Sequence, residues 1–155
     1  MATAVEDLWP ADIESAPDQL PPITILKQQA AMLGQRTRNL LEGQVETRTE
    51  ESYRRLRHVL FIVAPALDFY RYPLLEVEHA VVGIYPVTIT ASWNAPREPE
   101  EEGIGVDESL DRHYKLTASD ESQFKNALKD LLGHEETKKI IGSLLAQSGV
   151  STPAF

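Results

Sequence analysis

Between Val45 and Trp93 polar and apolar residues alternate with a period of two, and no stretch inside that span is long enough to form a helical crossover. A parallel sheet needs such crossovers, so the span predicts three or four antiparallel strands joined mainly as hairpins. Val45, Thr47 and Thr49 alternate with Glu46, Arg48 and Glu50, as in a half-exposed strand. A turn near Glu51 and Ser52 returns the chain into Arg54 to Leu67. There Val59-Leu60-Phe61-Ile62-Val63 is apolar at every position, which predicts cover on both faces of the sheet. Pro65 removes a ladder donor, predicting a bulge or an edge, and Asp68 to Pro73 supplies the next reversal. Beyond it Leu75, Val77 and His79 share one face, and Leu74, Glu76 and Glu78 the other. After a bend near Gly83 and Pro86, Val87, Ile89, Ala91 and Trp93 close the sheet.

Helical periodicity flanks this span. Leu26, Ala30, Leu33, Thr37, Leu40 and Leu41 recur at spacings of three or four, predicting a helix from Thr24 to about Glu42 with Gly43 as its stop. On the far side, Ser119-Asp120-Glu121 reads as a helix start ahead of Phe124, Leu128, Leu131 and Leu132. Gly133 ends that helix. A second follows with Glu135 and Glu136 in its first turn and Ile140, Ile141, Leu144 and Leu145 as its apolar stripe. The expected architecture is α+β: an N-terminal helix, an antiparallel sheet of three or four strands, and two C-terminal helices packed on the sheet.

The formal net charge of −9 is unevenly distributed. Residues 1–22 hold five acids and no base, and residues 93–111 hold seven acids against Arg97 alone. Together these stretches carry six of the ten prolines, a composition that opposes regular structure. Residues 1–22 are therefore expected as an acidic flexible tail and 23–147 as a single domain with an exposed acidic loop at 93–111. Residues 148–155 are expected to fray. The remainder of the chain is nearly neutral and faintly basic.

With no cysteine, the chain has no disulfide, thiolate nucleophile or cysteine-ligated metal. Its longest apolar run, Val59 to Leu67, falls well below the roughly 18 residues of a membrane span, so no membrane association and a cytoplasmic location are expected. The histidines His58, His79, His113 and His134 have no metal-site spacing, no Gly-x-Ser-x-Gly occurs, and neither Leu33-Gly34-Gln35 nor Gly103-Ile104-Gly105 sits in a phosphate-loop context. No cofactor or metal is implied. Glu76 and Glu78 share a strand face with the separation of a carboxylate pair, and His58 and His79 meet if the hairpin centres on Asp68 and Phe69. These four residues make an alternative ligand or catalytic site.

Arginine supplies a different signal. Arg36, Arg38, Arg48, Arg54, Arg55 and Arg57 fall within 22 residues, and Arg71 lies between Tyr70 and Tyr72. Forked guanidinium contacts beside tyrosines are typical of binding surfaces, whereas pairing with Glu42, Glu46, Glu50 and Glu51 would make the same cluster an ordinary solvated face. The expected function is a non-catalytic interaction or regulatory subunit, its partner another protein or a second copy. Arg54, Arg55, Arg57, Tyr70, Arg71 and Tyr72 form its surface, and Trp9 in the acidic tail is a further docking residue. Binding of nucleic acid through the arginines is the less favoured alternative.

Overall fold

The structure is a computed structural model that describes residues 5–14, 18–94 and 113–149. Most of the acidic stretch expected as a loop at 93–111 lies outside the described residues, as do residues 1–4 and 15–17 of the expected tail and residues 150–155.

Helix α1 spans Pro22–Arg36 and begins on a proline, whose missing N–H is an orphan at that position anyway. Ile25, Leu26 and Ala30 are its buried residues besides Pro22. It stops well short of Glu42 because Arg38 and Asn39 take left-handed backbone angles, φ 52° and 64°. The Asn39 N–H donates to the Gly34 carbonyl at 2.8 Å. The Thr37 hydroxyl donates to the Leu33 carbonyl, and the Leu41 N–H donates to the Thr37 hydroxyl at 3.1 Å. Leu41 is thereby turned out of the helix and into the core, fully buried, whereas Leu40 is exposed.

Five strands follow: β1 (Glu42–Glu50), β2 (Arg55–Ala64), β3 (Tyr70–Ala80), β4 (Val87–Asn94) and β5 (His113–Ala118). They form one antiparallel sheet in the order β1-β2-β3-β4-β5, each strand beside its sequence neighbours. The count is thus five where three or four are expected; the additional strand, β5, follows the acidic stretch. Short 3-10 turns at Glu51–Tyr53 and Pro65–Leu67 make the first two reversals, each closed by a left-handed residue, Arg54 and Asp68. The register of β2 on β3 slips between Leu60 and Phe61, so Leu60 faces Leu75 while Phe61 faces Pro73. The extra residue, Leu74, is buried together with Leu75.

Helices α2 (Glu121–Leu132) and α3 (Glu135–Ser148) complete the fold. The Asp120 carboxylate caps α2 by accepting the Gln123 N–H at 2.8 Å. His134 caps α3 through its Nδ1, which accepts the Glu136 N–H, and its ring stacks on Trp93 at 4.2 Å. Phe124, Leu128, Leu131 and Leu144 join Ile25, Leu26, Leu60, Ile62, Val77 and Ile89 in a single core between the helices and one face of the sheet. Within the segment expected as tail, the Gln19 side chain accepts the Glu121 N–H at 2.7 Å, and the Leu20 carbonyl accepts the Tyr85 hydroxyl at 2.8 Å. Burial, with Glu121 and Asp120 nearby, pushes the Tyr85 hydroxyl up to about 12 and so keeps it a donor.

The expected cover on both faces of Val59–Val63 is corrected. Leu60 and Ile62 face the helices, but Val59 and Phe61 point to the other side, where only side chains of the sheet itself shield them among the described residues. Arg71 does part of this, its guanidinium lying 4.0 Å from the centre of the Phe61 ring.

Candidate functional site

The alternation of the strands sorts the candidate residues onto two faces. His58 lies opposite Val77 and His79 lies opposite Leu56, so the two histidines are diagonal neighbours on the helix-covered face. They meet although the hairpin does not centre on Asp68 and Phe69. Glu76 and Glu78 point the other way, toward Arg57 and Arg55. The structure therefore separates the histidine pair from the carboxylate pair by the thickness of the sheet, and the four residues do not form one site.

The histidines are 2% and 4% exposed, and their Nε2 atoms lie 2.9 Å apart. The neighbours fix the protons. His79 Nδ1 faces two carbonyl oxygens, of Ala80 at 2.8 Å and Gly83 at 3.2 Å; carbonyls only accept, so this nitrogen carries the proton. In the neutral ring Nε2 then accepts, and His58 Nε2–H donates to it. His58 Nδ1 in turn accepts the hydroxyl of Thr47, 2.8 Å away on β1. The result is a directed chain, Thr47 to His58 to His79 to backbone, in which every ring nitrogen has a partner.

Protonating His58 would place a charge in this apolar layer. Burial, then the adjacent His79 and Lys27, lower its pKa to about 4. Two imidazoles sharing a tetrahedral metal need donor atoms about 3.3 Å apart and both lone pairs free. Here one Nε2 already donates to the other at shorter range. Among the described residues no group of three or more His, Asp and Glu is placed to hold a metal ion.

The opposite face is a charged lattice. Glu46, Arg48 and Glu50 on β1, Arg55 and Arg57 on β2, Arg71, Glu76 and Glu78 on β3 and Lys115 on β5 all project from it. Arg48 stands directly opposite Arg57, a repulsive register, and each arginine turns instead to carboxylates beside it. Arg57 pairs with Glu50 and Glu76, Arg55 with Glu78 at 2.5 Å, Arg71 with Glu46 at 2.6 Å, and Arg48 with Glu46 at 3.7 Å. Between these charges runs a groove of about 740 Å³ lined by Val59, Phe61, Pro73, Thr88, Thr90 and Ser92.

Of the expected partner-binding residues, Arg55, Arg57 and Arg71 converge on this face. Arg54 occupies the left-handed position at the β1–β2 turn, and Trp9 is exposed in the N-terminal segment. Tyr70 and Tyr72 point to the helix side, where with Leu67, Ile140, Ser143 and Leu144 they line a separate apolar groove of about 560 Å³. Sequence reasoning named Glu50 as a partner of the arginines, which it is for Arg57, but did not single out Phe61 or Thr47 as site residues. Continuing the Arg55, Arg57 alternation two more positions would have placed Val59 and Phe61 on the arginine face. No helix among the described residues is long and apolar enough to cross a membrane. No family model, curated protein or solved structure matches this chain.

Proposed function

We propose that the chain is a non-catalytic protein-binding module that engages its partner through the open face of the sheet. The observation that carries this reading is the cover among the described residues: three helices lie on one face, while the other presents a mixed groove in which Val59, Phe61 and Pro73 lie between ion-paired arginines and the hydroxyls of Thr88, Thr90 and Ser92. Side chains held in cross-strand pairs lose little further freedom on association, and arginines beside aromatic surface are typical anchors. Charge on the face is nearly balanced, Arg48, Arg55, Arg57, Arg71 and Lys115 against Glu46, Glu50, Glu76 and Glu78. That balance favours a protein surface of mixed sign over a polyanion, which would need the bases unpaired.

The test is affinity for each protein that co-purifies from the native host, measured with Arg55→Ala and Arg71→Ala on the open face and Tyr70→Ala on the other. Each arginine change is expected to weaken association about tenfold or more while thermal stability moves little, and Tyr70→Ala to leave affinity unchanged. Unchanged affinity of both arginine variants for every partner would reject the reading.

A further inference from the structure

We infer that two copies of this chain join edge to edge along β1, antiparallel about a twofold axis at Thr47, into one continuous sheet. The inference does not depend on the open-face reading. Strand β1 is nine residues long and is terminal in the sheet. Among the described residues nothing donates to or accepts from its outer backbone edge. Free edges are ordinarily blunted by proline, charged side chains and lysine above all, a bulge, shortness or a covering element. β1 has no proline and no lysine, its pairing with β2 runs unbroken from Glu42 to Glu50, and the charges it does carry include both signs, so they can complement a second copy. The other edge, β5, is six residues long, carries Lys115, and its pairing with β4 is interrupted.

The charge pattern of β1 selects the partner and the register. Copies related by a twofold axis normal to the sheet keep each face matched to itself, so the axis must pass through a residue. At Thr47, Glu46 of each copy stands opposite Arg48 of the other, twice, with Val45 opposite Thr49 and Gln44 opposite Glu50. At Glu46 or Arg48 the same face would set like charges against each other. An axis at Thr49 would also match Arg48 with Glu50 but would pair less of the strand; one at Val45 would match Glu42 with Arg48 over the same length but would bring the two copies' α1 crossings at Gly43 within four residues of each other along the seam. Arg48 is available: its side chain is 70% exposed, and its contact with Glu46 of its own strand is long, at 3.7 Å.

Space above the strand permits the approach. Helix α1 crosses close over Gly43 at Ala30, yet its N-terminal end lies toward Tyr85, near β4, so it leaves Thr47 and Thr49 exposed. In the proposed pairing each copy's α1 lies over the half of the seam that the other copy's helix leaves bare.

Sedimentation and light scattering across concentration test this directly. The full chain is expected to associate reversibly to about 35 kDa, twice the 17.3 kDa of one copy. Arg48→Glu alone and Glu46→Arg alone each place two like pairs across the seam and are expected to weaken dimerisation at least tenfold. An equimolar mixture of the two variants restores complementary pairs and is expected to dimerise as the unmodified chain does. Melting curves of each variant confirm that it is folded. A monomer at several hundred micromolar, a dimer indifferent to Arg48→Glu, or a mixture that stays monomeric would each overturn the inference. Arg55→Ala, on the strand next to the seam but ion-paired with Glu78 on β3, separates this result from the open-face reading, because it removes no contact across the seam and is expected to leave the dimer intact.

Discussion

The chain from Thr47 through His58 and His79 to the Ala80 and Gly83 carbonyls is built on a buried, neutral His58. Its consequence for stability has a definite sign. The folded pKa of His58, about 4, lies below the 6.5 of the unfolded chain, so the folded state binds fewer protons between these values. Stability is therefore full above pH 6.5 and falls as the pH drops toward 4, by about 2 kcal/mol at pH 5 from this group alone. Urea unfolding of the unmodified chain and of His58→Gln at pH 7.5 and pH 5 checks this; the variant is expected to lose much of the dependence. Alternation within each strand could not say whether the two histidines share a face, because that depends on the β2–β3 register, which the single bulge residue Leu74 shifts by one. Two glycines give a second contrast. A Cβ at Gly43 would overlap the backbone of Ala30, so Gly43→Ala is expected to destabilise by about 1–3 kcal/mol. Gly142 lies within α3 with nothing nearby, and Gly142→Ala is expected to stabilise by about 0.5–1 kcal/mol on the same denaturation assay.

At the scale of elements, capping carries much of what was legible. Ser119-Asp120-Glu121 announces α2, and Asp120 does accept the Gln123 N–H. Asp120→Ala is accordingly expected to lower stability by about 1 kcal/mol, while Ser119→Ala, whose side chain caps nothing here, is expected to be near neutral in parallel melts. The end of α1 was harder to read. Helical spacing continues through Leu40 and Leu41, and Gly43 is the obvious stop, but Thr37 and the left-handed Arg38 and Asn39 turn the chain first. Gly43 is needed instead where α1 crosses the strand. The apolar run Val59–Val63 misled in another way: it looks doubly covered, yet Val59 and Phe61 are sheltered by neighbouring side chains such as Arg71, a contact that strand periodicity does not encode. Glu46 and Glu50 were legible as partners for the arginines, but the roles of Glu76 and Glu78, read from alternation as a carboxylate pair, depended on the β2–β3 register that sets them against Arg57 and Arg55.

Over the whole molecule, the layers divide the work. One face of the sheet, with three helices, holds the core; the other carries the charges. Strands β2 and β3 lie between neighbours on both sides and contribute His58, Leu60, Ile62, Leu75 and Val77 to the core, so their amides are expected to exchange most slowly with solvent. Amides of β5 are expected to exchange faster, and hydrogen-exchange mass spectrometry resolves the difference. The meander order also fixes a schedule of assembly. Because every strand pairs with the one just made, the first four strands can zip together while the chain is still being synthesised, with α1 already in place over β1. Phe124, Leu128, Leu131 and Leu144, which α2 and α3 add to the core, are translated last. A chain made only as far as Asn94 therefore has α1 alone to cover the apolar face of its four strands, and that face is closed only when α2 and α3 have been made.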